Sequence, residues 1–276
     1  MRNKTSPADH APGNQDLRPG RGPRIEQLAP AERAARISKL TDRGFTAEHL
    51  RTMASKRQGL PRIDVVDEAI AFLEESGFND PIRVIGNFPE VLGLSQENIK
   101  GKIEGLRARG FANATDLITR MPAIFGFSFE HNIDPKLEFV TTILATMPLK
   151  QPFTAVEMFE RRPRLISSSA DTLTLHLGVV RSYDSETVTL PRVDMLFKGS
   201  VDQVVQAFRA RTDPNETFAA FAIRLRNLQE LREKKFVLES DKEQRKAALL
   251  GDLLARDSVL MELHEKFKEA ASANGK

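Results

Sequence analysis

The sequence predicts an all-α fold, a curved α-solenoid of about 33-residue helical repeats with a C-terminal helical extension. Three observations carry this expectation. The pair Gly-Phe returns every 33 residues, as Gly44-Phe45, Gly77-Phe78 and Gly110-Phe111. A proline-led segment, PEVLGLS from Pro89 to Ser95, returns 33 residues on as PAIFGFS from Pro122 to Ser128, and again as PRLISSS from Pro163 to Ser169. An apolar stripe spaced four then three follows, as Val66/Ile70/Leu73, Ile99/Ile103/Leu106, Ile133/Leu137/Val140 and Leu173/Leu177/Val180. That spacing is one face of a helix packed on one side.

Each element of the repeat has a physical reason. Glycine at the position after a helix takes the left-handed conformation that closes it, and the Phe that follows supplies the accompanying apolar contact. Ser95, Ser128 and Ser169 precede Glu97, Glu130 and Asp171 by two residues. A serine cap and a carboxylate in the first turn together announce a helix start. Ser200 with Asp202 repeats the signature, with Asp194 in the proline place of a degraded fifth copy. Residues 46–76 read as a degraded first copy, with Lys56 in the proline place and Asp64 keeping the acidic position. The third copy of the stripe, from Ile133, is slipped by one residue. A unit of this size cannot bury its own apolar face, so neighbouring units must stack.

The expected organisation is a disordered tail over 1–29, the helical repeats over 30–212 and a C-terminal helical hairpin or cap over 213–276. The tail has no apolar run and carries mixed charges, so a secretory signal is not expected. Beyond Asp213 the pattern gives one helix through Phe218, Phe221, Leu225 and Leu228. A second runs through Leu250, Leu253, Leu260, Leu263 and Phe267.

Composition removes several function classes. The chain has no cysteine, which excludes disulfides, thiolate catalysis, Fe–S clusters and Cys-ligated zinc. Its five histidines are scattered without metal-ligand spacing, and no phosphate-binding glycine loop or nucleophile elbow is present. No enzyme activity and no cofactor are therefore expected. No apolar run approaches the roughly 18 residues of a membrane span, so no membrane partner is expected. The 41 basic residues are nearly matched by 38 acidic ones and are spread evenly, so any basic surface must be assembled by folding.

The copies NFPEVLGLSQENIKGKIEGLRARGF and RMPAIFGFSFEHNIDPKLEFV resemble the motif of the mitochondrial transcription termination factor (mTERF) family: a proline-led PxxLxxS core, an acid after the Ser, and a leucine-rich helix ending in Gly-Phe. The resemblance is sharp over about 79–140, fair to 181, and weak at 40–76 and 186–210. It implies a helical solenoid whose concave groove binds nucleic acid, duplex DNA or structured RNA, in transcription or RNA processing. The compartment it implies is organellar in a eukaryote and cytoplasmic in a bacterium.

Backbone binding requires cations that reach phosphates. The candidates are Arg43 and Arg109 before the Gly-Phe pairs, Arg120 and Arg161 two residues before the motif prolines, and Arg162 and Arg164 flanking Pro163. Arg57 near the degraded first motif, Lys100, Lys102 and Arg107 on the helix after Ser95, and Arg181 complete the set. Arg161-Arg162-Pro-Arg164 is the densest cluster; three guanidinium groups that close repel one another unless an anion lies nearby. With one Tyr and no Trp, base stacking is not expected to carry recognition. The alternative is a protein–protein interaction scaffold built on the same solenoid, which the near-neutral charge favours.

Overall fold

The computed structural model describes residues 28–57, 59–147, 149, 151–183, 188–211, 213, 215–231 and 240–272. Most of the expected N-terminal tail lies outside them. The described residues are all-α, without a strand. The helices are α1 (Pro30–Asp42), α2 (Ala47–Arg57), α3 (Ile63–Glu75), α4 (Pro81–Asn87), α5 (Gln96–Ala108), α6 (Ala114–Arg120) and α7 (Asp134–Ala145). They continue with α8 (Ala155–Arg161), α9 (Ala170–Arg181), α10 (Leu190–Lys198), α11 (Val201–Arg209), α12 (Phe218–Leu231), α13 (Ser240–Arg256) and α14 (Ser258–Ser272).

The sequence repeat becomes a repeat of elements. A seven-residue helix (α4, α6, α8) leads into a five-residue 3₁₀ turn (Pro89–Gly93, Pro122–Gly126, Pro163–Ser167) and then a longer helix (α5, α7, α9). In each turn the proline and the residues two and three places after it are buried: Pro89, Val91, Leu92; Pro122, Ile124, Phe125; Pro163, Leu165, Ile166. Proline lacks the N–H that an α-helix would need and fixes φ for the tighter turn. Where the proline is replaced, the turn is lost. α2 runs through Lys56, and α10 runs through Asp194.

Each Gly-Phe pair closes its helix as expected. Gly44, Gly77 and Gly110 have φ of 93°, 87° and 91°. The Phe45, Phe78 and Phe111 N–H groups donate to the carbonyls of Leu40, Leu73 and Leu106 at 3.2, 3.0 and 3.2 Å. The glycine N–H groups donate to Thr41, Glu74 and Arg107. This double closure satisfies carbonyls that the helix end would otherwise leave open. The serine caps also form: Ser95, Ser128, Ser169 and Ser200 accept from the N–H of Asn98, His131, Thr172 and Gln203.

The one-residue slip of the third stripe has a structural cause. Residues Phe129–Ile133 form a π-helical turn leading into α7. A π turn takes up one extra residue without breaking the helix, so Ile133, and Val140 beyond it, still face inward. Phe129 then packs so closely on α5 that its ring leaves no room for a Cβ on Gly105.

The described residues divide into two compact units, those up to Ile103 with Ile118–Phe125, and Glu104–Leu117 with those from Gly126 onward. In the first, α2 packs on α4 and on the Pro89 turn, and α1 and α3 close around Leu40, Phe45, Met53 and Val66. In the second, α9 is the centre. Every residue from Leu173 to Val180 is buried, with α11, α13 and α14 packed against the helix. Gly178 permits this packing, because a Cβ there would lie 2.7 Å from the Leu260 side chain.

The C-terminal apolar stripe is two helices, not the single one its spacing suggests. Asp257 interrupts it. Its carboxylate accepts the Leu260 N–H at 3.0 Å, capping α14, and pairs with Arg181 at 2.6 Å. Burial alone would raise the Asp257 pKa, but Arg181 and the Leu260 and Val259 N–H groups outweigh it and hold the carboxyl below its ordinary value. Asp257→Ala removes the cap and strands a guanidinium that is only 16% exposed. The expected loss is about 2 kcal/mol, read by chemical denaturation.

Candidate nucleic-acid interface

The site is built from the third repeat, where α8 ends in Arg161 and the 3₁₀ turn starts after Arg162. The 3₁₀ turn Pro163–Ser167 is anchored by buried Pro163, Leu165 and Ile166, so Arg162 and Arg164 flank a buried proline. Asp194 on α10 lies against them, with its side chain 5% exposed. Arg162 donates to one Asp194 oxygen through Nε and to the other through Nη2 at 3.3 Å. Arg161 Nε reaches Asp194 at 3.3 Å, and Lys198, one turn along α10, at 3.5 Å. One buried carboxylate therefore gathers three cations, of which Arg161 and Lys198 are about half exposed. Arg164, on the same turn, is exposed and has no ion pair among the described residues. Arg161, Arg164 and Lys198 thus carry exposed positive charge on this part of the surface.

The remaining candidates do different things. Arg43 and Arg109, both one residue before a Gly-Phe pair, make the same clamp. Each donates Nη1 to the carbonyl four residues back, Lys39 at 2.8 Å and Gly105 at 2.9 Å. Each also forks onto a carboxylate of a later helix, Asp67 on α3 at 2.7 Å and Asp134 on α7 at 2.6 Å. The matching positions of the copy between them are Ser76 and Lys100, so no clamp forms there. The Arg43 pair holds the Asp67 carboxyl below its ordinary pKa. Arg109 also lies over the Phe129 ring, 3.9 Å from its centroid. Arg181 is taken up by Asp257 and the Thr146 hydroxyl.

Lys100 is exposed, its ammonium 5.5 Å from the centre of the Phe72 ring. Arg107 and Arg120 are exposed and Lys102 is half-buried. The Arg57 side chain lies outside the described residues. Among the eleven candidates, Arg161 and Arg162 are brought onto one partner. The repeat pattern marks Asp194 only as a substitute for proline and leaves Lys198 unmarked. Their spacing of four on a helix is the signal that links them.

Residues 23–155 match the mTERF family model. The match spans just under half of the chain and ends before the Arg161 cluster. It covers the two sharpest repeats, from Pro89 to Ser95 and from Pro122 to Ser128. No curated protein matches the chain. Among the described residues, no group of three or more His, Asp or Glu could hold a metal ion, and no helix is long and apolar enough to cross a membrane.

Proposed function

We propose that this chain is a nucleic-acid-binding helical-repeat protein that contacts the phosphate backbone of duplex DNA or structured RNA. The observation that carries the reading is the group of three cations on the single Asp194 carboxylate, with exposed Arg164 beside it. The similarity to the mTERF family supports it, because that resemblance implies a nucleic-acid groove on stacked repeats and a role in transcription or RNA processing. In this reading Arg161, Arg164 and Lys198 meet phosphates, while Arg162 is held by Asp194 and positions the turn.

The test is binding to labelled duplex DNA, structured RNA and single strands over a salt series. Glutamates at positions 161 and 162 would set new carboxylates against Asp194 and threaten the fold, so the informative variant is Arg164→Gln with Lys198→Gln. Each phosphate contact removed should lower the slope of log K against log salt by about 0.9 on duplex DNA. The double variant is therefore expected to bind more weakly and to lose about 1.8 from the slope. An unchanged slope, or no binding to any of the three at low salt, overturns the reading.

A protein-interaction scaffold is the second reading. It is favoured by the internal pairing of Arg43, Arg109 and Arg181, which withdraws three of the candidate cations from an outside partner.

A further inference from the structure

A second basic site lies outside the matched repeats. The C-terminal end of α11 and the last two turns of α13 line an open groove of about 560 Å³. Its lining includes Arg209, Arg211 and Arg256, the carboxylate of Asp252, and the apolar side chains of Phe208 and Leu253. Sites for small ligands have volumes of roughly 300–1,000 Å³ and combine apolar walls with a few convergent polar groups.

A basic residue in the last turn of a helix is ordinary, because it offsets the negative end of the helix dipole. That accounts for one arginine on each helix. It does not by itself bring two such arginines, Arg209 and Arg256, to line one groove together with Arg211. Arg209 and Arg256 are exposed and have no ion pair among the described residues. Arg211 is held in place: its Nε donates to the Asp213 carbonyl at 2.9 Å, and its guanidinium lies 4.8 Å from the centre of the Tyr183 ring. Phe208 is also fixed, edge-on to Tyr183 at 6.2 Å between ring centres. The groove thus joins a preorganised aromatic wall to guanidinium forks suited to phosphate oxygens.

We propose that this groove binds a small phosphate-bearing ligand of nucleotide size, with the phosphate on Arg209 and Arg256 and a flat body against Phe208 and Leu253. The site shares no residue with the surface proposed at Asp194. Both arginines are exposed, so their replacement leaves the core untouched.

Isothermal titration of the full chain with AMP, adenosine and pyrophosphate at low salt tests the assignment. AMP is expected to bind, with adenosine and pyrophosphate each about tenfold weaker or more. Arg209→Ala with Arg256→Ala should weaken AMP about tenfold or more while the thermal melt is unchanged, since each charge-assisted hydrogen bond to phosphate contributes on that scale. The Arg164→Gln, Lys198→Gln variant should bind AMP like the parent, which separates this site from the proposed nucleic-acid surface. Absence of heat with AMP, equal binding of adenosine, or unchanged binding by the arginine variant overturns the proposal. Pyrophosphate binding as tightly as AMP overturns the part assigned to Phe208 and Leu253.

Discussion

Phe111→Ala is expected to cost about 3–5 kcal/mol of stability, a large share of what a natural domain has. Phe111 is fully buried, and its N–H closes α5 by donating to the Leu106 carbonyl at 3.2 Å. Truncation leaves the backbone bond possible but empties the space the ring fills. The loss therefore combines transfer of apolar surface with the cavity left behind. Arg107→Ala, on the exposed side of the same helix end, is the control and should change stability by no more than about 0.5 kcal/mol. Urea unfolding of the three proteins makes the comparison. A Phe111 loss below about 1 kcal/mol would show that the Gly-Phe pair is a backbone stop signal rather than a core anchor.

Acid is expected to destabilise the protein before its carboxylates titrate. His176 sits in α9, buried, with its ring 4.7 Å from that of Phe197 on α10. Burial drives its pKa from 6.5 down to about 3, against the pull of the Thr172 carbonyl, and Lys246 on α13 adds to the lowering. The unfolded chain takes a proton on this ring below about pH 6.5, whereas the folded chain refuses it until about pH 3. The stability is complete above pH 6.5 and drains away as the pH falls through that interval. Each pH unit is worth about 1.36 kcal/mol, so about 2–3 kcal/mol should be lost between pH 7 and pH 4.5 from this group. His264 acts in the same direction. It is buried on α14, with Nδ1 2.8 Å from the Thr174 hydroxyl and Nε2 3.5 Å from Asp171, and burial lowers its pKa. Denaturation curves at pH 7, 5.5 and 4.5 for the parent and His176→Leu provide the check. The variant should lose distinctly less stability on acidification; parallel curves would remove His176 as the cause.

Much of the local architecture is legible in the amino-acid sequence. The glycine, serine and proline positions each impose a backbone requirement that acts within a few residues. Gly110, Ser128 and Pro122 accordingly mark a helix end, a helix start and a 3₁₀ turn. The apolar stripes are legible for the same reason, since a period of 3.6 needs no partner to be recognised. The C-terminal stripe shows the limit. Leu250 to Phe267 keeps helical periodicity across a break, where Asp257 caps α14 and also meets Arg181, 76 residues away. The basic candidates are the least legible. Arg43, Arg109 and Arg162 look alike as solvent charges, yet each is spent on a carboxylate 24, 25 or 32 residues away.

Local chemistry dictates most helix ends of the repeats, which faces are apolar, and that no cysteine chemistry is available. These are short-range properties, set by backbone sterics, capping hydrogen bonds and composition. Which charges are paired internally is set by the tertiary fold. It alone put Lys198 beside Arg161 and Arg162 on Asp194, and gathered Arg209, Arg211 and Arg256 around one groove. Ion pairing depends on distance and burial between residues far apart in the chain, and helical periodicity carries no information about either.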